Sequence, residues 1–158
     1  MKFADFMCEK SIRVELQAAD KPGVIQELVA ALVESGQIKE VDQAGIIEAI
    51  MKREELGSTG IGRGVAVPHT KPPSVDNLVG TVGVSREGVE FESLDGESVQ
   101  LFFLLISPPD RPGDHLRALE NISRQLRDDT FCRFLKQSKT AGDISQLLEE
   151  ADNNQFAS

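Results

Sequence analysis

Apolar residues recur along this chain with two different periods, and the switch between them lays out the elements. Val24, Ile25, Leu28, Val29 and Leu32 fall on one face of a 3.6-residue repeat, which predicts a helix. Asp20 stands where an N-cap belongs, Pro22 is tolerated in the first turn, and Gly36 closes the helix. A second stripe, Ile46, Ile47, Ala49 and Ile50, runs towards Glu55. Asp42 is its expected N-cap, with Val41 and Ile46 in hydrophobic-staple positions. Residues 3–8 suit a short helical turn. Residues 12–16 alternate apolar and polar, the mark of a half-buried strand at a sheet edge.

The second half changes rhythm. Residues 79–85 read as a strand, and Arg86, Glu87 and Gly88 as a turn into residues 89–91, which together predict a hairpin. Residues 99–106 are almost continuously apolar, as expected of a central strand buried on both faces. Prolines 108, 109 and 112 stop it sharply. A helix is expected from about Asp114 and His115, with Leu116, Leu119, Ile122, Ser123 and Leu126 inward. A short helix follows over 129–135. Thr140 and Asp143 form a capping box for the last one. Helices alternating with a few strands around one buried strand imply an α/β fold, a three-layer α/β/α sandwich on a mixed sheet. Residues 1–150 read as a single domain, without repeat or linker, and 151–158 as a polar, frayed, flexible tail.

Composition narrows the class. The chain has 158 residues, enough for one real core, with 26 acidic against 17 basic residues and a net charge of −9. Such a field repels nucleic acid and anionic membrane and attracts basic proteins, though acidity also serves plain solubility. Tyr and Trp are absent, so eight Phe carry the aromatic packing. Cys8 and Cys132 stand far apart, the pattern of reduced thiols in a cytoplasmic protein. No zinc-ligand spacing joins them to the two histidines. No apolar run approaches the length of a membrane span or a secretory leader.

The candidate chemistry lies in residues 57–71, where Gly57, Gly60, Gly62 and Gly64 precede the apolar run Val65, Ala66 and Val67 and then Pro68 and His69. Glycines permit positive φ and close approach by another molecule. The run reads as a short buried strand, and the fixed φ of Pro68 aims His69 rigidly. A dinucleotide fingerprint does not fit, because these glycines lead into β-branched residues and a proline rather than a helix. A tight connection and a structural histidine would also account for these residues, and the local pattern alone leaves both readings open. So too for Arg53, which in a last helical turn usually complements the helix dipole. His115 in a first turn is more often an exposed surface residue; that end of a helix favours anions and disfavours imidazolium.

The stretch from Arg53 and Glu54 through Gly57, Ser58, Thr59, Gly60, Ile61, Gly62, Gly64 and Val65 to Pro68 and His69 resembles the active-site signature of enzyme IIA domains of the phosphoenolpyruvate-dependent phosphotransferase system. The similar branch is the fructose/mannitol type, which includes the nitrogen-regulatory proteins, and the similarity runs from about Leu16 to about Leu148. The resemblance implies the three-layer fold. It also implies that His69 accepts a phosphoryl group from a histidine phosphocarrier protein. Arg53 would neutralise oxygen charge with its guanidinium fork, and His115, in a matching His-Leu-x-x-Leu context, would orient the phosphoryl group. Thr59 would donate a hydroxyl hydrogen bond, while Gly60, Gly62 and Gly64 would let two proteins meet and offer backbone N–H groups. The scheme needs no metal or other cofactor. Arg63 stands where sugar-specific relatives often carry an acidic or amide residue and nitrogen-regulatory ones often a basic one. Thr70 replaces the small residue, commonly Gly or Ala, that tends to follow the histidine. As neighbours of the reactive site, both put partner preference in question. With neither a transporter segment nor a cysteine-bearing IIB module, the chain leans towards regulation. A sugar-linked IIA serving a separate IIB module is the alternative, as is a binding module that regulates by docking alone.

Overall fold

The continuously apolar stretch forms the central strand of the computed structural model, which describes residues 1–153. This strand, β5 (Val99–Ile106), is paired on both edges. Along one edge run two short parallel strands with the same register offset, β2 (Val65–Ala66) and β3 (His69–Thr70), which place Val65 opposite Leu101 and His69 opposite Leu105. Along the other runs the antiparallel β4 (Val79–Val89). A fifth strand, β1 (Gly60–Gly62), folds back antiparallel on β2. The sheet is therefore mixed and open.

Successive side chains of β5 point to opposite faces, so the strand feeds two cores. Leu101, Phe103 and Leu105 pack under helices α3 (Pro112–Gln125), α4 (Asp129–Gln137) and α5 (Ala141–Asp152). Phe102, Leu104 and Ile106 pack under α1 (Lys21–Glu34) and α2 (Gln43–Glu55). All six are fully buried, each removing an apolar side chain worth about 1.5–3 kcal/mol from water. The three-layer α/β/α sandwich expected from the pattern is what forms.

Local signals hold where the cap geometry obeys them. Asp20 accepts the N–H of Gly23 at 2.8 Å, and Thr140 and Asp143 cap each other's backbone. Elsewhere the tertiary context prevails. Asp42 sits in helical φ/ψ as the last residue of a 3-10 turn, so it makes no side-chain cap, and Val41 is exposed rather than stapled. Residues 12–16 run beside β4 through a single bridge, Arg13 to Gly83, and three backbone hydrogen bonds, without becoming a strand. The expected hairpin at 86–88 is instead an irregularity within one long β4, whose Val89 still pairs with Val99 of β5. Helix α3 is rotated from expectation: His115, Ala118, Ile122 and Gln125 face inward, while Leu116 and Ser123 face out. The polar tail starts later than residue 151. Ala151 is buried in α5, and the Asp152 carboxylate accepts the N–H groups of Phe3 (2.7 Å) and Ala4 (3.0 Å). The remainder of that tail, 154–158, lies outside the described residues.

Candidate active site

The carboxyl ends of parallel strands are where open α/β sheets keep their sites, and the chemistry gathers there in this chain too. Strand β3 carries His69 to the end of β5, where the Pro68 carbonyl accepts the Leu105 N–H (3.0 Å) and the Thr70 carbonyl accepts the Ser107 N–H (3.1 Å). Ser107, the first residue past β5, is fully buried, and its hydroxyl is hydrogen-bonded to Nδ1 of His115 in the first turn of α3. Both histidines are thus fastened to the last turn of the same strand. Their ring centroids lie 5.5 Å apart, tilted by 55°.

The two rings are held differently. His69 is half-buried, and its Nδ1 lies 2.8 Å from the Val67 carbonyl, an acceptor only, so Nδ1 carries the proton and Nε2 keeps its lone pair. Burial lowers its proton affinity, the Val67 carbonyl opposes this, the charges of Arg53 and Lys71 add to the lowering, and Glu54 resists it. His115 is buried at 7% exposure. Burial, then the neighbouring His69, then Lys71 bring its pKa down to about 4. Near neutral pH both rings are therefore uncharged. Arg53, in the last turn of α2, donates from Nη1 to the Gly57 carbonyl at 3.0 Å. Arg53 and Lys71 thus act on His69, and Lys71 on His115 as well, placing cations beside two neutral imidazoles within a chain of net charge −9, the electrostatics of a small anion site.

The structure brings together His69, His115 and Arg53, and it separates the others. Thr59 is buried, and its hydroxyl and N–H both go to the Glu54 carboxylate, so it faces into the fold. Gly62 (φ 100°) and Gly64 (φ 78°) make the tip of the β1–β2 hairpin, with Arg63 also left-handed (φ 59°). That tip lies at least five residues of register from His69, about 16 Å along the sheet. Space where a Cβ of Gly60 would stand is filled by Ser93 at 2.9 Å, and that of Gly64 by Lys136 Nζ at 3.0 Å. Their bareness serves close packing against the chain itself. Arg63 does not flank the histidine either. Its guanidinium meets Asp129 (2.6 Å) and the Leu126 carbonyl (2.8 Å) at the far end of α3.

Sequence reasoning misses Ser107 and the Val67 carbonyl, and it leaves Lys71 without a role. A serine directly after the apolar run and before two prolines is the available signal for the first. Among the described residues, no group of three or more His, Cys, Asp or Glu is placed to hold a metal, and no helix is long and apolar enough to cross a membrane.

Residues 5–151 match the model of the family described as phosphoenolpyruvate-dependent sugar phosphotransferase system, EIIA 2. A nitrogen regulatory protein of Bradyrhizobium diazoefficiens is 36% identical over 149 residues, covering 94% of this chain and 95% of its own. A fructose-specific EIIABC component of Bacillus subtilis is 32% identical over 152 residues, 96% of this chain but 24% of that protein. The crystal structure of nitrogen regulatory protein IIA-Ntr from Neisseria meningitidis superposes with a TM-score of 0.84 at 27% identity, covering 92% of this chain and 98% of that one.

Proposed function

The chain belongs to the EIIA 2 family of the phosphoenolpyruvate-dependent sugar phosphotransferase system, and we propose that within it His69 is the residue that carries the phosphoryl group. The observation that carries this reading is the pairing of a free Nε2 on His69 with an Nδ1–H committed to the Val67 carbonyl. A histidine phosphocarrier protein is the donor. The Nε2 lone pair attacks phosphorus in line, the P–N bond to the donor ring breaks, and its electron pair returns to that ring as neutral imidazole. His69 then holds the positive ring charge, which the Val67 carbonyl stabilises without any proton having to move. Arg53 and Lys71 offset the charge on the phosphoryl oxygens, and neutral His115 has a ring nitrogen to spare for one of them.

Thr59, Gly60, Gly62 and Gly64 serve this site indirectly, by shaping the hairpin that feeds the Val67 carbonyl and β3. No metal or other cofactor takes part in the scheme. The role is regulatory, in keeping with the nitrogen regulatory relative that this chain matches along nearly its whole length. A cytoplasmic setting follows from a carrier that must meet soluble donors. The fructose-specific relative supports a second reading, in which the phosphoryl group passes to a IIB module.

Intact-protein mass spectrometry after incubation with phosphoenolpyruvate, enzyme I and the phosphocarrier protein tests the proposal. An acid-labile phosphate is expected on the wild type and none on His69→Ala. A wild type that stays unmodified beside a phosphorylated carrier overturns it, leaving regulation by docking alone.

A further inference from the structure

Among the described residues Glu54 is the one buried carboxylate, at 5% exposure, and the phosphoryl-transfer scheme makes no use of it. Burying an anion is costly unless it is paired and hydrogen-bonded. Here it is both. Lys21, at the start of α1, approaches Oε1 at 3.0 Å and packs its ammonium 4.7 Å from the centre of the Phe91 ring. Thr59 donates its N–H to Oε1 (3.2 Å) and its hydroxyl to Oε2. From Thr59 the connection continues without a gap. The Thr59 carbonyl accepts the Val67 N–H at 3.0 Å, and the Val67 carbonyl accepts Nδ1–H of His69 at 2.8 Å. The preceding residue, Arg53, grips Gly57 from the same helical turn. The turn from α2 into β1 is therefore clamped at both ends by consecutive side chains.

We infer that Glu54, clamped by Lys21, is a positioning residue of the phosphoryl-transfer site, fixing the His69 ring and its tautomer through Thr59 and Val67. The inference rests on the reading of His69 as the phosphoryl acceptor. Linkage through Thr59 is mechanical, because the groups that meet Glu54 and the carbonyl that meets Val67 belong to different peptide units. A second effect acts through space: the carboxylate favours a proton on the His69 ring, against the burial that disfavours it. The other charges acting on this ring are those of Arg53 and Lys71, and both oppose Glu54.

The variants Glu54→Gln and Thr59→Val separate the two effects. With phosphorylated carrier as donor, Glu54→Gln is expected to slow transfer on the order of tenfold, the scale of a misplaced reacting group. It is also expected to move the acid limb of the pH–rate profile to lower pH, because a charge that favoured the proton is gone. Thr59→Val keeps that charge, so it should slow transfer severalfold with the limb unmoved. Nitrogen-15 NMR of the His69 ring reads the tautomer without any transfer: wild type should show Nδ1–H alone, and both variants a mixture. Should Glu54→Gln fail to fold, Thr59→Val decides by rate and tautomer. Variants that transfer at the wild-type rate with a pure Nδ1–H ring overturn the inference, as does a slowed Glu54→Gln with limb and tautomer both unchanged. A wild type that accepts no phosphoryl group defeats the reading of His69 instead, and the NMR result still stands by itself.

Discussion

The two histidines sit 5.5 Å apart on one strand end, yet they are held by opposite means. His69 hangs from the backbone: a carbonyl two residues away fixes its ring, and it stays half-open to solvent. His115 hangs from a side chain, the Ser107 hydroxyl, and is buried on the inner face of α3. A backbone anchor suits the role proposed for His69, in which the ring changes charge, because the acceptor carbonyl stabilises a cation. A buried ring with its pKa at about 4 is suited to staying neutral throughout. One imidazole is presented and the other is kept in reserve.

The largest expected break in that comparison is in transfer itself. His69→Ala should abolish phosphoryl uptake, whereas His115→Ala should slow it by about a hundredfold, the lower range for losing a positioned polar partner. Rapid-quench measurement with phosphorylated carrier distinguishes abolition from slowing. Next comes stability against pH. As pH falls from 6.5 towards 4, the unfolded chain takes up a proton at His115 that the folded chain refuses. Stability that is complete above pH 6.5 should drop across that window by about 3 kcal/mol. His69 acts in the same sense. Urea titrations at pH 7 and pH 4 check this, and His115→Gln should flatten the His115 share.

Ser107→Ala should cost about 1–3 kcal/mol by stranding a buried ring nitrogen, with transfer slowed as well, while leaving the His69 tautomer alone. On the His69 side, Gly64→Ala should cost about 1–2 kcal/mol through its left-handed backbone. Arg63→Ala should shift stability by about 1 kcal/mol or less, since its ion pair with Asp129 is largely exposed. Both hairpin-tip variants should slow transfer far less than the histidine variants do, and a large loss of transfer from either would place the tip closer to the chemistry than its register, about 16 Å, implies.

Much of this molecule is legible in its residue pattern. Asp20, Thr140 and the stripe of α1 act locally, and residues 99–106 are too apolar to be anything but central. Pro68 followed by His69 reads as a rigidly aimed imidazole, but the contact that holds the ring is the Val67 carbonyl, which that pattern does not name. What the pattern leaves open is decided by distant partners. Gly88 carries the same positive φ whether it closes a hairpin or relieves an irregularity, and only the pairing of Val89 with Val99 selects the second. Thr59 could face out or in, and the buried Glu54 draws it in. Leu116 and His115 compete for the inward face of α3, and the Ser107 hydroxyl, eight residues upstream, favours the histidine. The glycines read as a bare docking surface because their spacing is the same whether the neighbour is another protein or Ser93 and Lys136 of this one.

Strand β5 is paired on both edges and covered on both faces, and it bears the attachments of both histidines. Its amides should therefore be among the slowest in the molecule to exchange with deuterated solvent, opening only when the whole domain opens. A partly opened molecule that frays only at an end, with α2 and α3 still docked on the strand, would keep its chemistry. Loss of activity on heating should follow global melting rather than precede it, making phosphoryl uptake a direct assay of the folded fraction.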